Sequence, residues 1–88
     1  MIIRASGVLL RFVGYKREHE VDGQTVRDGL NKLVEGNPQL GPVLFDADGN
    51  VRKTHHVYLN GDRLGSDALD HEAGPKDEIQ ILTAVAGG

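Results

Sequence analysis

Cysteine is absent from this chain of 88 residues. The absence excludes disulfides, a thiolate metal site and a thiol nucleophile within the chain itself. If the protein takes part in sulfur chemistry, the sulfur must therefore be carried on the terminal carboxyl group.

Long apolar runs and a strong positive charge are missing as well. No stretch approaches the ~20 apolar residues that cross a bilayer, and the N-terminus lacks the basic region, apolar core and cleavage site of a signal peptide. The net charge of -3 opposes binding to the phosphates of nucleic acid. We therefore expect a cytoplasmic protein that contacts neither membrane nor nucleic acid.

The sequence carries no motif with catalytic or metal-ligand spacing. Residues 46–50 begin like a calcium loop, but glycine stands at the fourth position rather than the sixth, and the twelfth position is Val57. We interpret this segment as a solvated turn. His55 and His56 are neighbours whose side chains point to opposite faces of a strand, so we predict surface histidines rather than a metal pair. We expect no metal site and no enzyme acting alone.

One amphipathic helix stands out in the sequence. Thr25 is a good N-cap, and Pro38 forbids continuation of the helix. Gly29 inside the helix costs about 1 kcal/mol relative to alanine, so we expect a packing reason for it. The apolar residues recur at the spacing of one helical face: Val26, Leu30, Leu33 and Val34.

Four strands are predicted, at residues 1–13, 16–21, 51–60 and 78–83. These segments contain most of the apolar residues that lie outside the helix. Asn60-Gly61 is the strongest hairpin signal, and Leu64 and Leu69 are expected to anchor the polar segment that follows. One helix covering a mixed sheet of four or five strands, with the first and last strands adjacent at its centre, predicts an α+β roll of the β-grasp type. Residues 1–83 would form this single domain.

Residues 84–88 are predicted to form a flexible tail that ends in Gly87 and Gly88. Fully extended, five residues reach roughly 17 Å at ~3.3–3.6 Å per residue, and residues without a Cβ can thread a narrow channel. The Gly88 carboxylate, with a typical pKa of about 3.3–3.7, is ionised at neutral pH and is a poor electrophile. It must first be activated, as an acyl-adenylate formed by an ATP-using partner. The sequence therefore predicts a body that presents Gly88.

Leu82 lies next to this tail. If Ile79 and Ile81 face the helix, Leu82 points to the other face of the sheet. It then either belongs to a docking patch or is an apolar side chain half-covered by a loop. The residues alone leave both interpretations open.

Three segments resemble the ubiquitin-like sulfur carriers of the MoaD/ThiS family. They are Val57-Tyr58-Leu59-Asn60-Gly61, Asp77-Glu78-Ile79-Gln80-Ile81-Leu82 and Ala84-Val85-Ala86-Gly87-Gly88. The ending is most similar to the CysO-type branch. The resemblance covers the whole chain in element order, with its specific motifs in the last third. One departure is Thr83-Ala84, where many relatives have proline.

The resemblance implies a β-grasp fold and a carrier protein that acts as a co-substrate and binds no cofactor. In the family, an E1-like adenylyltransferase uses ATP to adenylate the terminal glycine, here Gly88. A sulfurtransferase or sulfide then converts it to a thiocarboxylate, which gives its sulfur to an enzyme of cofactor, cysteine or secondary-metabolite biosynthesis. Val85, Ala86 and Gly87 would be recognised with the terminal glycine, and Leu82 matches a position where relatives often carry a large apolar residue at the partner interface.

Two other functions share this chemistry or this fold. A ubiquitin-like protein modifier would be joined to lysines of target proteins through Gly88, and it follows the same route as far as the adenylate. A plain binding domain with a β-grasp fold would not need the two glycines. The sequence does not separate the carrier from the modifier.

Overall fold

Five strands form one mixed sheet in a computed structural model that describes residues 1–83. In chain order the strands are β1 Ile2–Ala5, β2 Glu18–Glu20, β3 His55–Leu59, β4 Asp62–Arg63 and β5 Glu78–Thr83. Their order across the sheet is β2-β1-β5-β3-β4. The short strands β2 and β4 therefore form its two edges, and β4 spans only two residues.

The first and last strands lie side by side at the centre, as the sequence predicted. Strand β5 pairs parallel with β1, where Ile3 is opposite Ile79, and antiparallel with β3, where Val57 is opposite Ile81. These four side chains are buried on one face of the sheet. The most apolar strands occupy the centre because only central positions bury a strand between two neighbours and beneath a helix.

Helix α1, Val26–Gly36, covers the buried face of the sheet. The Thr25 hydroxyl accepts a hydrogen bond from the Asp28 amide at 3.1 Å, so Thr25 is the N-cap that the sequence indicated. The predicted apolar face is confirmed, with Val26, Leu30 and Leu33 buried.

Gly29 has the packing reason that its position suggested. A Cβ at this residue would overlap the Met1 Sδ atom. The buried Met1 is held in place because its amino group donates to the Val21 carbonyl at 2.8 Å. The start of the chain therefore packs directly on the helix, and alanine at position 29 would have to displace it.

The prediction of one strand over residues 1–13 is wrong. Strand β1 ends at Ala5, and a 3-10 helix follows over Gly7–Phe12. Gly7 has a φ of +60°, a left-handed conformation that ends the extended chain. Leu9 and Val13, four residues apart, are both buried, so this stretch has helical rather than alternating burial.

Helical turns follow α1, in a segment for which the sequence predicted no helix, and the third strand occupies only the second half of residues 51–60. A 3-10 helix, Pro38–Leu40, runs into helix α2, Gly41–Leu44, so that Leu40 and Leu44 are buried. Residues 46–50 form the predicted solvated turn, since one carboxylate oxygen of Asp46 accepts from the amides of Asp48 and Asn50. The chain then enters β3 only at His55 rather than at residue 51.

The hairpin between β3 and β4 turns at Asn60-Gly61, as predicted. Both residues have positive φ, +51° and +90°, as a two-residue turn of the primed type requires. The following segment includes the 3-10 helix Ala68–Asp70, which buries Leu69, one of the two predicted anchors. The fold as a whole is the predicted β-grasp roll, with five strands and one long helix.

Candidate functional site

The site begins where the central strand β5 ends. Thr83 is its last residue and is opposite His55, the first residue of β3. On the other side, β1 ends at Ala5, opposite Ile81. The part of the chain that the structure describes therefore ends on the central strand of the sheet. The predicted site residues Gly88, Gly87, Ala86 and Val85 lie outside the described residues, so their roles stay predictions.

His55 ties the end of β5 to helix α2. Its Nδ1 lies 3.0 Å from the Thr83 hydroxyl, and its Nε2 lies 2.8 Å from the Val43 carbonyl oxygen. Because a carbonyl oxygen only accepts, Nε2 carries a proton; in the neutral ring Nδ1 then accepts from the Thr83 hydroxyl. The two hydrogen bonds therefore hold the imidazole in one orientation and connect the end of β5 to helix α2.

The prediction that both histidines are surface residues is wrong for His55, which is only 8% exposed. Its neighbour His56 is on the opposite face and is half-buried. The strand alternation was correct, but the inward-facing ring meets Val43, a residue of α2 that is distant in sequence. The sequence offered no signal for this contact, because a polar ring is buried only when such partners satisfy it.

Leu82 lies on the face of the sheet away from the helix, as expected from the burial of Ile79 and Ile81. Its cross-strand neighbour is His56, and its side chain is half-buried. This position is beside the point where the chain leaves β5, which is compatible with both interpretations of Leu82. A role at a partner interface stays a prediction.

The rest of this open face is largely polar. One register row crosses all five strands, and in it Arg4 pairs with Glu18 at 3.1 Å. Arg4 also pairs with Glu78 at 3.0 Å in the next row. The open face therefore offers few apolar side chains besides Leu82. The full row consists of Glu18, Arg4, Gln80, Tyr58 and Arg63.

Two exposed apolar side chains were missed by sequence reasoning. Val8, 49% exposed, belongs to the 3-10 helix after β1, and Tyr15, 72% exposed, lies in the turn before β2. Tyr15 has a φ of +62°, which is uncommon for a bulky residue. Val8 was hidden within the strand predicted over residues 1–13, and Tyr15 lies two residues beyond its end.

At the opposite end of β5, where the strand begins, the Asp77 carboxylate accepts hydrogen bonds from two neighbouring segments. Asp77 accepts from the Gly74 amide at 2.7 Å and from the Asn60 side chain at 3.0 Å. These two hydrogen bonds, the first more than the second, lower the pKa of Asp77 below its usual 3.8. At the start of α1, the Gln24 amide and the Thr25 cap likewise lower the pKa of Asp28.

Neither a clustered set of metal-ligand side chains nor a membrane-spanning helix occurs in the part of the chain that the structure describes. Within residues 1–83, no three histidine, aspartate or glutamate side chains are placed to share a metal ion. None of the helices described here is long and apolar enough to cross a membrane.

Comparison with known proteins defines the class. The chain is 34% identical to small archaeal modifier protein 1 of Haloferax volcanii over 70 residues, which cover 78% of this chain and 77% of that protein. The crystal structure of SAMP1 from the same organism superposes with a TM-score of 0.81 at 29% identity, covering 99% of this chain and 97% of that one. A chain in the crystal structure of the Amycolatopsis orientalis BexX/CysO complex superposes with a TM-score of 0.87, covering 99% and 98%; at 24% identity it bears on the fold alone.

The fold and these similarities define a small ubiquitin-like protein with a β-grasp fold. The model of the ThiS family matches residues 7–88, and the chain belongs to that family. The resemblance stated from the sequence is therefore confirmed. The match extends through the final two glycines, where the sequence had placed the reactive end.

Proposed function

We propose that this protein is a sulfur carrier whose terminal Gly88 is adenylated and then converted to a thiocarboxylate. The observation that carries the proposal is the family match over residues 7–88, which includes the Gly-Gly ending. The position of β5 adds support, because the five residues of the predicted tail follow directly on the central strand of the sheet, which is paired on both sides.

The chemistry that we propose needs a partner at each step. The Gly88 carboxylate attacks the α-phosphorus of ATP on an E1-like adenylyltransferase, and pyrophosphate leaves. A hydrosulfide equivalent from the sulfur donor then attacks the activated carbonyl carbon, and AMP leaves with the electrons of the broken bond. The product is a thiocarboxylate, which a sulfur-accepting biosynthetic enzyme consumes.

The proposal makes the chain a co-substrate rather than a catalyst, with ATP bound by the partner and no cofactor of its own. CysO from Amycolatopsis orientalis was crystallised in a complex with BexX. We propose by analogy that this chain also binds a partner enzyme, with Leu82 at the contact. A cytoplasmic location fits a step that consumes ATP.

A second function is favoured by a specific similarity. The 34% identical relative is described as a modifier protein, so the same glycine could be joined to lysine amino groups of target proteins. The adenylate is common to both routes. They differ in the nucleophile that attacks it, which is sulfur for the carrier and nitrogen for the modifier.

ATP–pyrophosphate exchange with candidate E1-like enzymes tests the shared step. We expect exchange with the full chain and none with a chain that lacks Gly88, while circular dichroism shows the same folded body for both. Normal exchange with the shortened chain would contradict both functions. Lysine-linked conjugates in cell extracts, without any thiocarboxylate, would favour the modifier.

A further inference from the structure

A cavity of about 420 Å³ lies between the turn before β3, strand β3 itself and the segment after β4. Its floor is apolar, because the buried side chains of Val57, Ala68 and Leu69 close it toward the core. A cavity of this size and character accommodates a few atoms of apolar side chain together with a polar group.

The rim of this cavity is positively charged in a protein whose net charge is -3. Arg52, Lys53 and Arg63 line it, and all three are exposed. Asp46 is the one carboxylate among the described lining residues. Its side chain caps the 46–50 turn by accepting two amide hydrogen bonds, and within residues 1–83 it makes no ion pair with these cations.

Each arginine donates a hydrogen bond to a partner that is not a carboxylate. The Arg52 Nε donates to the Pro42 carbonyl at 2.9 Å, and the Arg63 Nη2 donates to the His56 Nδ1 at 2.9 Å. Within residues 1–83, neither arginine makes an ion pair, whereas Arg4 makes two. Each guanidinium therefore keeps N–H groups available in a planar arrangement that suits a carboxylate.

The cavity adjoins the end of β5. His55, which lines it, holds the Thr83 hydroxyl, and His56, which also lines it, is opposite Leu82. A protein that filled the cavity would therefore contact the region from which residues 84–88 continue. A second cavity of about 480 Å³ is not lined by residues at the end of β5. Its lining includes the carboxylates of Asp22, Asp28 and Glu35 together with Lys32.

We propose that the basic cavity binds an acidic segment of a partner protein, with a carboxylate held between Arg52 and Arg63 and an adjacent apolar side chain on the floor. The proposal rests on the proposed function only in identifying this partner with the enzyme that activates Gly88. Attraction between the acidic partner segment and the basic cavity would speed the association of the two proteins and set the orientation in which they dock.

The test uses a short peptide probe, so that it is independent of adenylation. Acetyl-Glu-Leu-Glu-amide is titrated into the ¹⁵N-labelled full chain, with acetyl-Gln-Leu-Gln-amide as the neutral control. We expect saturable shifts at the amides of residues 50–57 and 63–69 with the acidic peptide only. Salt at ~1 M, where the Debye length is about 3 Å, should abolish them.

Matched variants locate the binding. Arg52→Gln with Arg63→Gln should weaken peptide binding about tenfold, which is the loss expected for two exposed ionic contacts. Arg17→Gln with Lys32→Gln removes the same charge from exposed side chains that do not line the cavity, and it should bind as the wild type does. All these side chains are exposed, so the fold should survive in both variants.

Three results would overturn the proposal. The first is an absence of shifts with the acidic peptide, and the second is equal binding by the Arg52→Gln, Arg63→Gln variant. The third concerns the chain's own carboxylate. If removal of Gly87 and Gly88 shifts the same cavity amides without peptide, and the peptide then binds more tightly, the occupant is the end of this chain and not a partner. None of these results depends on whether Gly88 is adenylated.

Discussion

Strand β5 is held very differently at its two ends. At its start, Asp77 and Asn60 connect the Gly74 turn, the β3–β4 hairpin and the Glu78 amide by side-chain hydrogen bonds. At its finish, a single buried imidazole, His55, contacts Thr83. At the start, the Asp77 carboxylate and the Asn60 amide oxygen satisfy backbone donors, whereas the cations near the finish line a cavity.

The difference separates residues at the start of β5 that stabilise the fold from exposed residues at its finish that are available to a partner. The start of β5 is closed on itself, so changes there should act on folding alone. The finish combines one buried contact, from His55 to Thr83, with the exposed basic cavity and Leu82. Loss of the imidazole should therefore act on folding, and changes at the exposed groups should act on partners. The predictions below test this difference between the two ends.

The largest effect is expected at Gly87. We expect Gly87→Val to lower kcat/KM for activation at least hundredfold, because a branched side chain displaces the terminal carboxylate from the attacking position by about 1 Å or more. Lys76→Ala, an exposed change near the start of β5, should leave activation unaltered. Adenylation rates with the same activating enzyme, measured for both variants, check the comparison.

Removal of the buried imidazole should destabilise the fold. His55→Ala leaves the Val43 carbonyl without its donor and opens a void, so we expect a loss of about 3 kcal/mol in the free energy of unfolding. Thr83→Val removes only the hydroxyl contact and should cost about 1 kcal/mol. Urea denaturation of the two variants measures this difference. Equal losses would show that Val43 and the void contribute nothing.

Leu82→Ser should affect partner binding and spare the fold. We expect KM for the carrier to rise about tenfold in the activation assay with little change in kcat, because the side chain contributes to docking and not to the chemical step. Val8→Ser, a change of the same kind at another exposed apolar side chain, is the control. A rise in KM for both variants would place the contact elsewhere or spread it over a wider surface.

The smallest effect is expected from the acidic network at the start of β5. Since hydrogen bonds lower the pKa of Asp77 in the folded state, its contribution to stability is complete above the usual value of 3.8 and is lost as the pH falls through the lowered value. Asp77→Ala should therefore flatten the fall in stability below about pH 4 and leave Thr83 and its hydrogen bond unchanged. Thermal unfolding of wild type and variant across pH 2–6 measures the difference.

The parts of the fold that the sequence predicted are those with local signals. The bounds of β5, the Thr25 cap of α1 and the Asn60-Gly61 turn depend on short segments whose residue types determine their conformation. Residues 7–12 were misread because an apolar run suits either a buried strand or a helical turn. The left-handed Gly7 decides between them, and a glycine allows that conformation without requiring it.

The parts of the site that were missed depend on contacts between distant segments. The burial of His55 requires Val43 and Thr83 at the two ring nitrogens. The basic cavity requires Arg52 and Arg63, which are dispersed in sequence, to line the same cavity beside β3. No basic cluster was identified from the sequence, because cations that folding brings together leave no pattern along the chain.

The central claim concerns the chemical state of Gly88, and its mass tests that claim most directly. The protein is incubated with ATP, a sulfide source and an E1-like enzyme, and the intact mass and the C-terminal peptide are then measured. The account predicts a gain equal to the replacement of one oxygen by sulfur, located on Gly88 and absent when ATP is omitted. An unchanged mass under conditions that support ATP–pyrophosphate exchange would contradict the sulfur-carrier function.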